Sequence, residues 1–241
     1  MFYFENIYGK RVMKSSVLNG LNHFFTTRES VIKTKEAEFE ALVAENRKIF
    51  EEYLGAKLIY PSQTHTSNVE EAKIGMERYP DTDGLILANK EQAIFLNFAD
   101  CTPLIFYDGN IAAVSHAGWR GTAAKISVKT VEKMVKEFNS SLESIKCAIG
   151  PAISFCCYNV GKDVHRQLIS TVKNSERLYE IRNGEIFVDL KSINKRQLTE
   201  FGLKEENIDI CPYCTVCNND LFFSYRKENA ATNRHSAVVK L

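Results

Sequence analysis

Two histidines and one cysteine in the first half of the chain are side chains that could do chemistry. His65 ends the segment Pro-Ser-Gln-Thr-His, and Cys101 and His116 each lie at the end of a short apolar run. Two imidazoles and one thiolate suit zinc with a fourth position open to water. The zinc would lower the pKa of that water to near 7 and supply a nucleophile at neutral pH. The spacing is not that of a local metal motif, so ordinary packing of the thiol and imidazoles is the alternative.

The chain has seven cysteines, an odd number, and its first residues lack the basic segment and apolar core of a secretion signal. We therefore expect a cytoplasmic, reducing location, where cysteines serve as thiols, metal ligands or nucleophiles rather than as a disulfide framework. Cys156 and Cys157 are adjacent. In a strand their side chains would point to opposite faces and could not easily share a metal.

Three further cysteines, Cys211, Cys214 and Cys217, have the spacing of the first three ligands of a ferredoxin-type cluster. The place of the fourth cysteine is taken by Leu221. The Cys-Pro-Tyr-Cys string also occurs in glutaredoxin-like proteins, but too little sequence follows it here to build that fold. Structural thiols and a second zinc site are the interpretations left open.

The apolar pattern places Cys101 and His116 at strand ends, where rigid scaffolds usually present functional groups. Residues 36–54 have helical spacing and stop at Gly55, a residue favoured just past a helix end. Asp108-Gly109 predicts a hairpin turn. Further helices are predicted at 122–138, 162–172 and 191–201. Strands are predicted at 57–60, 85–88, 94–98, 104–107, 111–115, 145–149, 186–190, 208–211, 222–226 and 237–239.

Hairpins and helical crossovers are intermixed in this pattern, and no Gly/Ser/Pro-rich linker divides the chain. We therefore expect an α+β (mixed α/β) fold, with residues 1–241 forming a single domain of mixed β-sheets covered by helices. The 241 residues are 44% hydrophobic and 25% charged, which is the profile of a soluble globular protein.

Charge and hydropathy exclude two classes of partner. Lys and Arg number 31 against 30 Asp and Glu, a net charge of +1. A nucleic-acid-binding protein needs a basic surplus to neutralise phosphates, so no nucleic acid is expected. No run approaches the roughly 18 apolar residues that cross a bilayer, so no membrane is expected either. A small-molecule substrate is favoured.

Five strings of this chain stand out, namely Pro61–His65, Ala99–Pro103, Ser115–Thr122, Ile149–Gly161 and Phe222–Arg226. They resemble a bacterial family long labelled multicopper polyphenol oxidase, or laccase domain. The family is now described as purine nucleoside phosphorylase with adenosine deaminase and methylthioadenosine phosphorylase activity. The resemblance implies a layered architecture similar to cysteine hydrolases and toxin deamidases.

The resemblance implies that His65, Cys101 and His116 are catalytic zinc ligands. Gln63 lies two residues before His65, so in an extended segment the two share a face, and the amide could orient water or a nucleobase edge. Asp100 would point away from Cys101, as a turn residue or as an acceptor for a ligand imidazole.

Four residues are candidates for substrate and phosphate binding. Arg120 lies between Trp119 and Gly121, where a guanidinium beside a helix start suits an anion, although stacking on Trp119 is the alternative. Arg28 and Arg226 are further candidates for the same phosphate, with surface salt bridges as the alternative. Tyr158 could stack on a base.

The function expected from this resemblance is a zinc-dependent enzyme acting on purine nucleosides and inorganic phosphate. It would phosphorolyse adenosine, inosine, guanosine or methylthioadenosine, and would hydrolytically deaminate adenosine. One alternative is a copper-dependent polyphenol oxidase, although a blue-copper laccase needs about ten histidines and this chain has five. The others are a cysteine hydrolase with Cys101 as nucleophile and His116 as base, and a non-enzymatic binding module.

Overall fold

Strands form most of the regular structure that the computed structural model describes, which covers residues 1–76, 78–230 and 233–241. Five α-helices lie between them in this part of the chain: α1 (Glu40–Leu54), α2 (Trp119–Ala123), α3 (Ile126–Phe138), α4 (Lys162–Ile169) and α5 (Leu190–Phe201). The strands are β1 (Phe2–Ile7), β2 (Lys10–Ser15), β3 (Asn22–Thr26), β4 (Lys57–Ile59), β5 (Val69–Glu71), β6 (Gly84–Leu87), β7 (Gln92–Phe98), β8 (Thr102–Tyr107), β9 (Ala112–Ala117), β10 (Lys146–Ile149), β11 (Asn159–Val160), β12 (Tyr179–Arg182), β13 (Glu185–Val188), β14 (Ile208–Ile210) and β15 (His235–Lys240).

The first sheet has six strands in the order β1-β2-β3-β15-β7-β4. Its strands pair antiparallel except for β4, which runs parallel to β7. Helix α1 covers the outer face, where Phe50 packs on Phe24 with ring centroids 4.8 Å apart. The helix ends as expected at Gly55, whose φ of 61° is left-handed and whose N–H reaches the carbonyls of the last turn.

The second sheet has six strands in the order β14-β10-β8-β9-β6-β5. One face packs on the first sheet through a shared apolar core that includes Leu96 of β7 and Ile105 of β8. The other face is covered by α3 and α5, with Met134 and Leu198 packed against the sheet residue Phe106. The layers are therefore helix, sheet, sheet and helix, which confirms the expected mixed sheets covered by helices.

A third, small sheet of order β11-β13-β12 lies beside α4. Its core contains Ile153, Tyr158, Leu168 and Val188. None of the helices in the described ranges has both the length and the hydrophobicity needed to span a bilayer.

The predicted hairpin at Asp108-Gly109 is confirmed, since β8 and β9 pair antiparallel across it. The segment predicted as one helix at 122–138 forms parts of two helices. Lys125 adopts a left-handed φ of 57°, which interrupts the helix between α2 and α3.

The strand predicted at 222–226 is wrong. Its apolar residues, Phe222 and Phe223, are both buried, but the backbone turns there instead of pairing. The carboxylate of Glu228 accepts the Ser224 N–H at 2.9 Å, which takes the place of a strand partner. The two phenylalanines therefore indicate burial of this segment, but they do not determine its backbone conformation.

Candidate functional site

The connection between the two large sheets brings His65, Cys101 and His116 together. Cys101 lies in the turn from β7 to β8, and His116 lies on β9, where it pairs with Pro103 of β8. His65 is in the loop that follows β4. The ligand atoms of the three side chains all lie within 4.8 Å of one another, and Cys101 Sγ is 4.0 Å from His65 Nε2.

Backbone strain is concentrated beside these residues. His65 has a φ of 65° and Asp100 a φ of 84°, both in the left-handed region that residues other than glycine rarely adopt. Each such conformation costs on the order of 1–3 kcal/mol and persists only where the surroundings enforce it. Here the surroundings are the hydrogen bonds of Asp83 to the His65 loop and of Thr215 and Arg226 to Asp100.

The carboxylate of Asp83 holds His116 in place. It lies fully buried and accepts a hydrogen bond of 2.7 Å from His116 Nδ1, which leaves Nε2 for the site. It also accepts the N–H groups of Thr64, His65 and Thr66 at 3.2, 3.2 and 2.7 Å, so one group orients two of the three candidate ligands. Sequence reasoning missed Asp83; its signal was an acidic residue directly before the all-apolar strand β6.

Of the two roles considered for Asp100, the structure shows the turn residue and not the acceptor for an imidazole. Its carboxylate accepts a 2.6 Å hydrogen bond from Thr215 Oγ1 and a 2.7 Å hydrogen bond from the backbone N–H of Arg226. Asp100 therefore connects the Cys101 turn to the loop that carries Arg226.

Cys101 and His116 shift each other's pKa through their charges and hydrogen bonds. Burial alone would raise the pKa of the Cys101 thiol, but the charges and hydrogen bonds of His116 and His65 outweigh burial and lower this pKa to about 6. Burial would lower the pKa of His116, but the Cys101 thiolate and Asp83 raise it to about 9. At neutral pH the pair is therefore a thiolate and an imidazolium, and a divalent cation can replace the imidazolium proton.

The donor set fits a metal ion. Three soft or borderline donors converge, and a tetrahedral ion bound to them would keep one open position. Gly118 lies directly beside two of the donor side chains. A Cβ added at residue 118 would lie 2.9 Å from Cys101 Sγ and 3.3 Å from His65 Cδ2. The space beside the donors therefore exists only because residue 118 is glycine.

Gln63 has different partners from those expected. The segment is not a strand, and Gln63 donates through Nε2 to the Asn97 carbonyl at 2.9 Å and accepts from the Asn97 N–H at 2.8 Å. Both ends of the amide are therefore bound to the backbone of β7. Gln63 positions the His65 loop against the first sheet instead of pointing a free amide at a substrate.

Arg120 and Arg226 lie at the rim of the site with Tyr158. The exposed Arg120 guanidinium stacks over the Trp119 ring at 4.3 Å, which is the alternative raised from the sequence. The Arg226 guanidinium donates to Asn159 Oδ1 at 2.6 Å and lies 5.5 Å from the centre of the Tyr158 ring. Burial and the charge of Cys101 raise the pKa of Tyr158, and the charges of Arg226 and Arg120 oppose this shift.

Arg28 is already matched with an anionic side chain. Its guanidinium pairs with Glu228 at 2.5 Å, donates to the Asn219 carbonyl at 2.8 Å and stacks on Phe223 at 4.2 Å. A phosphate would have to displace Glu228 to bind there.

A second group of possible metal ligands lies outside the trio, and consists of Cys156, Cys157, Cys214 and Cys217. Cys156 and Cys157 lie in a turn and not in a strand, so the expectation that their side chains point to opposite faces is wrong, and both thiols lie within 4.8 Å of the other two. Cys211, one of the three cysteines singled out from the spacing, is not in this group; its buried Sγ contacts Met13 Sδ at 3.7 Å.

Comparisons with known proteins identify the family of this chain and agree with its fold. The family described as multi-copper polyphenol oxidoreductase laccase matches residues 23–241, and this chain belongs to that family. A purine nucleoside phosphorylase of Bacteroides thetaiotaomicron is 30% identical over 247 residues, which cover 91% of each chain. Adenosine deaminase RL5, from an unknown prokaryotic organism, is 31% identical over 187 residues, or 70% of each chain. The crystal structure of Bacillus licheniformis hypothetical protein YfiH superposes with a TM-score of 0.89, at 26% identity over 99% of this chain and 98% of that one.

Proposed function

We propose that this chain is a zinc-dependent enzyme of purine nucleosides, which cleaves them with inorganic phosphate and also deaminates adenosine. The observation that carries the proposal is the convergence of His65, Cys101 and His116 around a space bordered by Gly118. The relatives named purine nucleoside phosphorylase and adenosine deaminase support the substrate class.

Zinc is the metal that two imidazoles and one thiolate favour, with copper as the alternative that the family description suggests. Bound zinc would supply Lewis-acid activation of water at neutral pH. The hydrogen bond from His116 Nδ1–H to Asp83 leaves Nε2 as the ring nitrogen for the ion, which would displace the Nε2 proton on binding. The thiolate of Cys101 supplies the negative charge that partly neutralises the ion.

The residues at the rim of the site have two proposed roles: Tyr158 contacts the purine base, and Arg120 and Arg226 bind the phosphate. Tyr158, 8% exposed, offers an aromatic surface and a hydroxyl that keeps its proton at neutral pH, so it can donate a hydrogen bond to the purine. Arg120 and Arg226 supply two exposed guanidinium groups for the phosphate. Arg28 is left out of this set, because Glu228 already neutralises it.

Both reactions balance without a redox partner. In phosphorolysis a phosphate oxygen bonds to C1′ of the ribose as the bond to the purine breaks, and the purine leaves with a proton. In deamination water adds at C6 of adenosine and ammonia leaves, which gives inosine. Adenosine, inosine, guanosine and methylthioadenosine all carry the purine base that Tyr158 is proposed to contact.

The test is an assay of purified protein with adenosine, inosine and methylthioadenosine, with and without phosphate, beside elemental analysis. We expect His116→Ala to lose one bound zinc and both activities. His165→Ala is the matched control, because His165 lies on α4, packs on Tyr179 and takes no part in the trio. Unchanged turnover by His116→Ala would refute the proposal.

A second candidate function is a cysteine hydrolase in which Cys101 attacks and His116 acts as base. The observation that favours it is the sequence of contacts from Cys101 to His116 to Asp83, together with a thiol pKa of about 6. Alkylation by iodoacetamide separates the two candidates. A free thiolate reacts with or without a chelator, whereas a metal-bound one reacts only after chelation.

A further inference from the structure

Four thiols from two distant segments of the chain meet in one place. Cys156 and Cys157 come from the turn before β11, and Cys214 and Cys217 from the loop after β14. The four sulfur atoms lie within 4.8 Å of one another, and Cys217 Sγ is 3.6 Å from Cys156 Sγ and 3.5 Å from Cys157 Sγ. We refer to these residues as the four-cysteine cluster.

The separations match a tetrahedral zinc site. A Zn–S bond of about 2.3 Å places the sulfurs of a tetrahedral tetrathiolate roughly 3.8 Å apart. A disulfide needs about 2.05 Å, so the cluster has the spacing of shared ligands and not of bonded sulfurs. All seven cysteines are free thiols in this structure.

The local backbone explains why adjacent cysteines can point the same way. The N–H groups of Cys157 and Tyr158 both reach the Ser154 carbonyl, at 2.9 and 3.0 Å, so the segment is a tight turn. On the other side, Cys214 and Cys217 have the two-residue separation usual in zinc ligand pairs. The Ser154 N–H also donates to Cys214 Sγ at 3.4 Å, a contact that favours a thiolate.

Two cations border the cluster. Arg182, whose guanidinium reaches the Phe155 carbonyl at 3.4 Å, lies within electrostatic range of Cys156 and Cys157. The ammonium of Lys191 lies within range of Cys214 and Cys156, and donates to the Cys211 carbonyl at 2.7 Å. A tetrathiolate zinc centre carries a net charge of −2, which Lys191 and Arg182 offset in part, since Arg182 also pairs with Glu180 at 3.0 Å.

We propose that the four-cysteine cluster binds a second zinc ion, with four thiolate ligands and no open position. Binding replaces four thiol protons, which leave to solvent, and changes no oxidation state. The full set of protein ligands makes this a structural site, unlike the three-donor trio.

The second ion would hold the rim of the functional site. The two cysteine segments already touch through the Thr215 N–H, which reaches the Ala152 carbonyl at 3.1 Å. Thr215 Oγ1 and the Ile153 N–H both bond to Asp100, the residue before Cys101. A metal that locks these segments together therefore fixes the turn that carries Cys101 and the position of Tyr158.

Elemental analysis of protein purified under reducing conditions tests the inference independently of the proposed function. We expect two zinc ions per wild-type chain, one in Cys156→Ser/Cys217→Ser, one in His116→Ala, and none when the three substitutions are combined. Cys156 and Cys217 are exposed, so their replacement by serine leaves the apolar core intact. Cys147→Ala is the control. Cys147 is buried but belongs to neither ligand group, so this variant should retain both ions.

Cobalt substitution gives a second readout. The near-ultraviolet thiolate-to-metal absorption grows with the number of thiolate ligands, so most of it should persist in His116→Ala and disappear in the double serine variant. One zinc in the wild type and none in His116→Ala would overturn the inference and leave the proposed function standing. A disulfide from Cys217 to Cys156 or Cys157, found by mass spectrometry under the same reducing conditions, would overturn it as well.

Discussion

His116 Nδ1 donates a 2.7 Å hydrogen bond to the buried carboxylate of Asp83, although the two residues lie 33 positions apart in the chain, His116 on β9 and Asp83 just before β6. β6 begins directly after Asp83 and pairs antiparallel with β9, so sheet register brings the carboxylate to the imidazole. The backbone adds a second link, since the His116 N–H reaches the Asp83 carbonyl at 2.8 Å.

Asp83→Asn should weaken metal binding while the chain still folds. An amide can accept the Nδ1–H hydrogen bond but carries no charge, so the imidazole becomes a poorer ligand; loss of such a partner typically costs about 10- to 100-fold in metal affinity. Competition with a chromophoric chelator measures the loss. Asp81→Asn, at an exposed neighbouring position, is the control. Equal affinities in the two variants would contradict the role of Asp83.

Gly118→Ala should displace the Cys101 thiol. The added methyl group would lie 2.9 Å from Sγ, closer than packed atoms allow, so the donors must separate and the metal content should fall. Gly161→Ala is the matched control, because no heavy atom lies within 4 Å of a Cβ there. Elemental analysis of both variants checks this, and full metal content in Gly118→Ala would show that the site is more open than the structure indicates.

Metal-free protein should be alkylated at Cys101 at unusually low pH. Because the pKa of this thiol is lowered to about 6, the thiolate is present above that pH and is lost as the pH falls through it. The rate of iodoacetamide labelling should therefore have its midpoint near pH 6, with Cys101→Ser as the background. A midpoint close to the ordinary thiol value of about 8.5 would exclude the ion pair with His116.

His23 should make the fold sensitive to acid. Its Nδ1 bonds to the Leu21 carbonyl at 2.9 Å and its Nε2 accepts the Ser15 N–H at 3.0 Å, so the ring is neutral, and burial lowers its pKa from 6.5 to about 4. The unfolded chain then binds more protons below pH 6.5, and the free energy of unfolding falls from there down to about pH 4. The loss is at most about 3 kcal/mol.

Urea unfolding at pH 7.5, 6 and 5 measures this dependence on pH. His23→Gln removes the titrating group and should flatten the slope between pH 6.5 and 4. An unchanged slope in this variant would assign the acid sensitivity to other groups.

Arg120→Met should raise the KM for phosphate in phosphorolysis more than it lowers kcat. A hydrogen bond to a charged group contributes about 1.5–3 kcal/mol, which corresponds to roughly 10- to 100-fold in KM. Arg166→Gln on the exposed surface of α4 is the control. An effect on kcat alone would point to a role in positioning Trp119 instead.

Local patterns predicted much of the scaffold of this site. The strands that flank Cys101 and His116, the hairpin between β8 and β9, and α1 follow from apolar periodicity and turn residues. The first three strands were missed, and so were the short strands β5, β11 and β12. β1 and β2 form an edge hairpin in which buried, half-buried and exposed residues follow no clear alternation.

The convergence of distant residues could not be predicted from spacing. Asp83 was missed because only the register of β6 against β9 shows which imidazole it faces. The four-cysteine cluster was missed because Cys156 and Cys157 look opposed in an extended chain, and only the Ser154 turn aligns them. For His65, Cys101 and His116, the spacing alone did not indicate a metal site, and the family resemblance supported that interpretation. The structure shows that the three side chains lie close together.

The position of β15 has a consequence for the order of events during folding. This strand, His235–Lys240, lies between β3 and β7 and pairs with both. Neither neighbour can complete its ladder before His235–Lys240 has been synthesised, so the middle of the first sheet closes only after β1 to β14 have all been made. Because β7 leads directly into the Cys101 turn, we expect ligand convergence to follow the arrival of β15, and until then the unpaired edges of β3 and β7 are exposed to other chains.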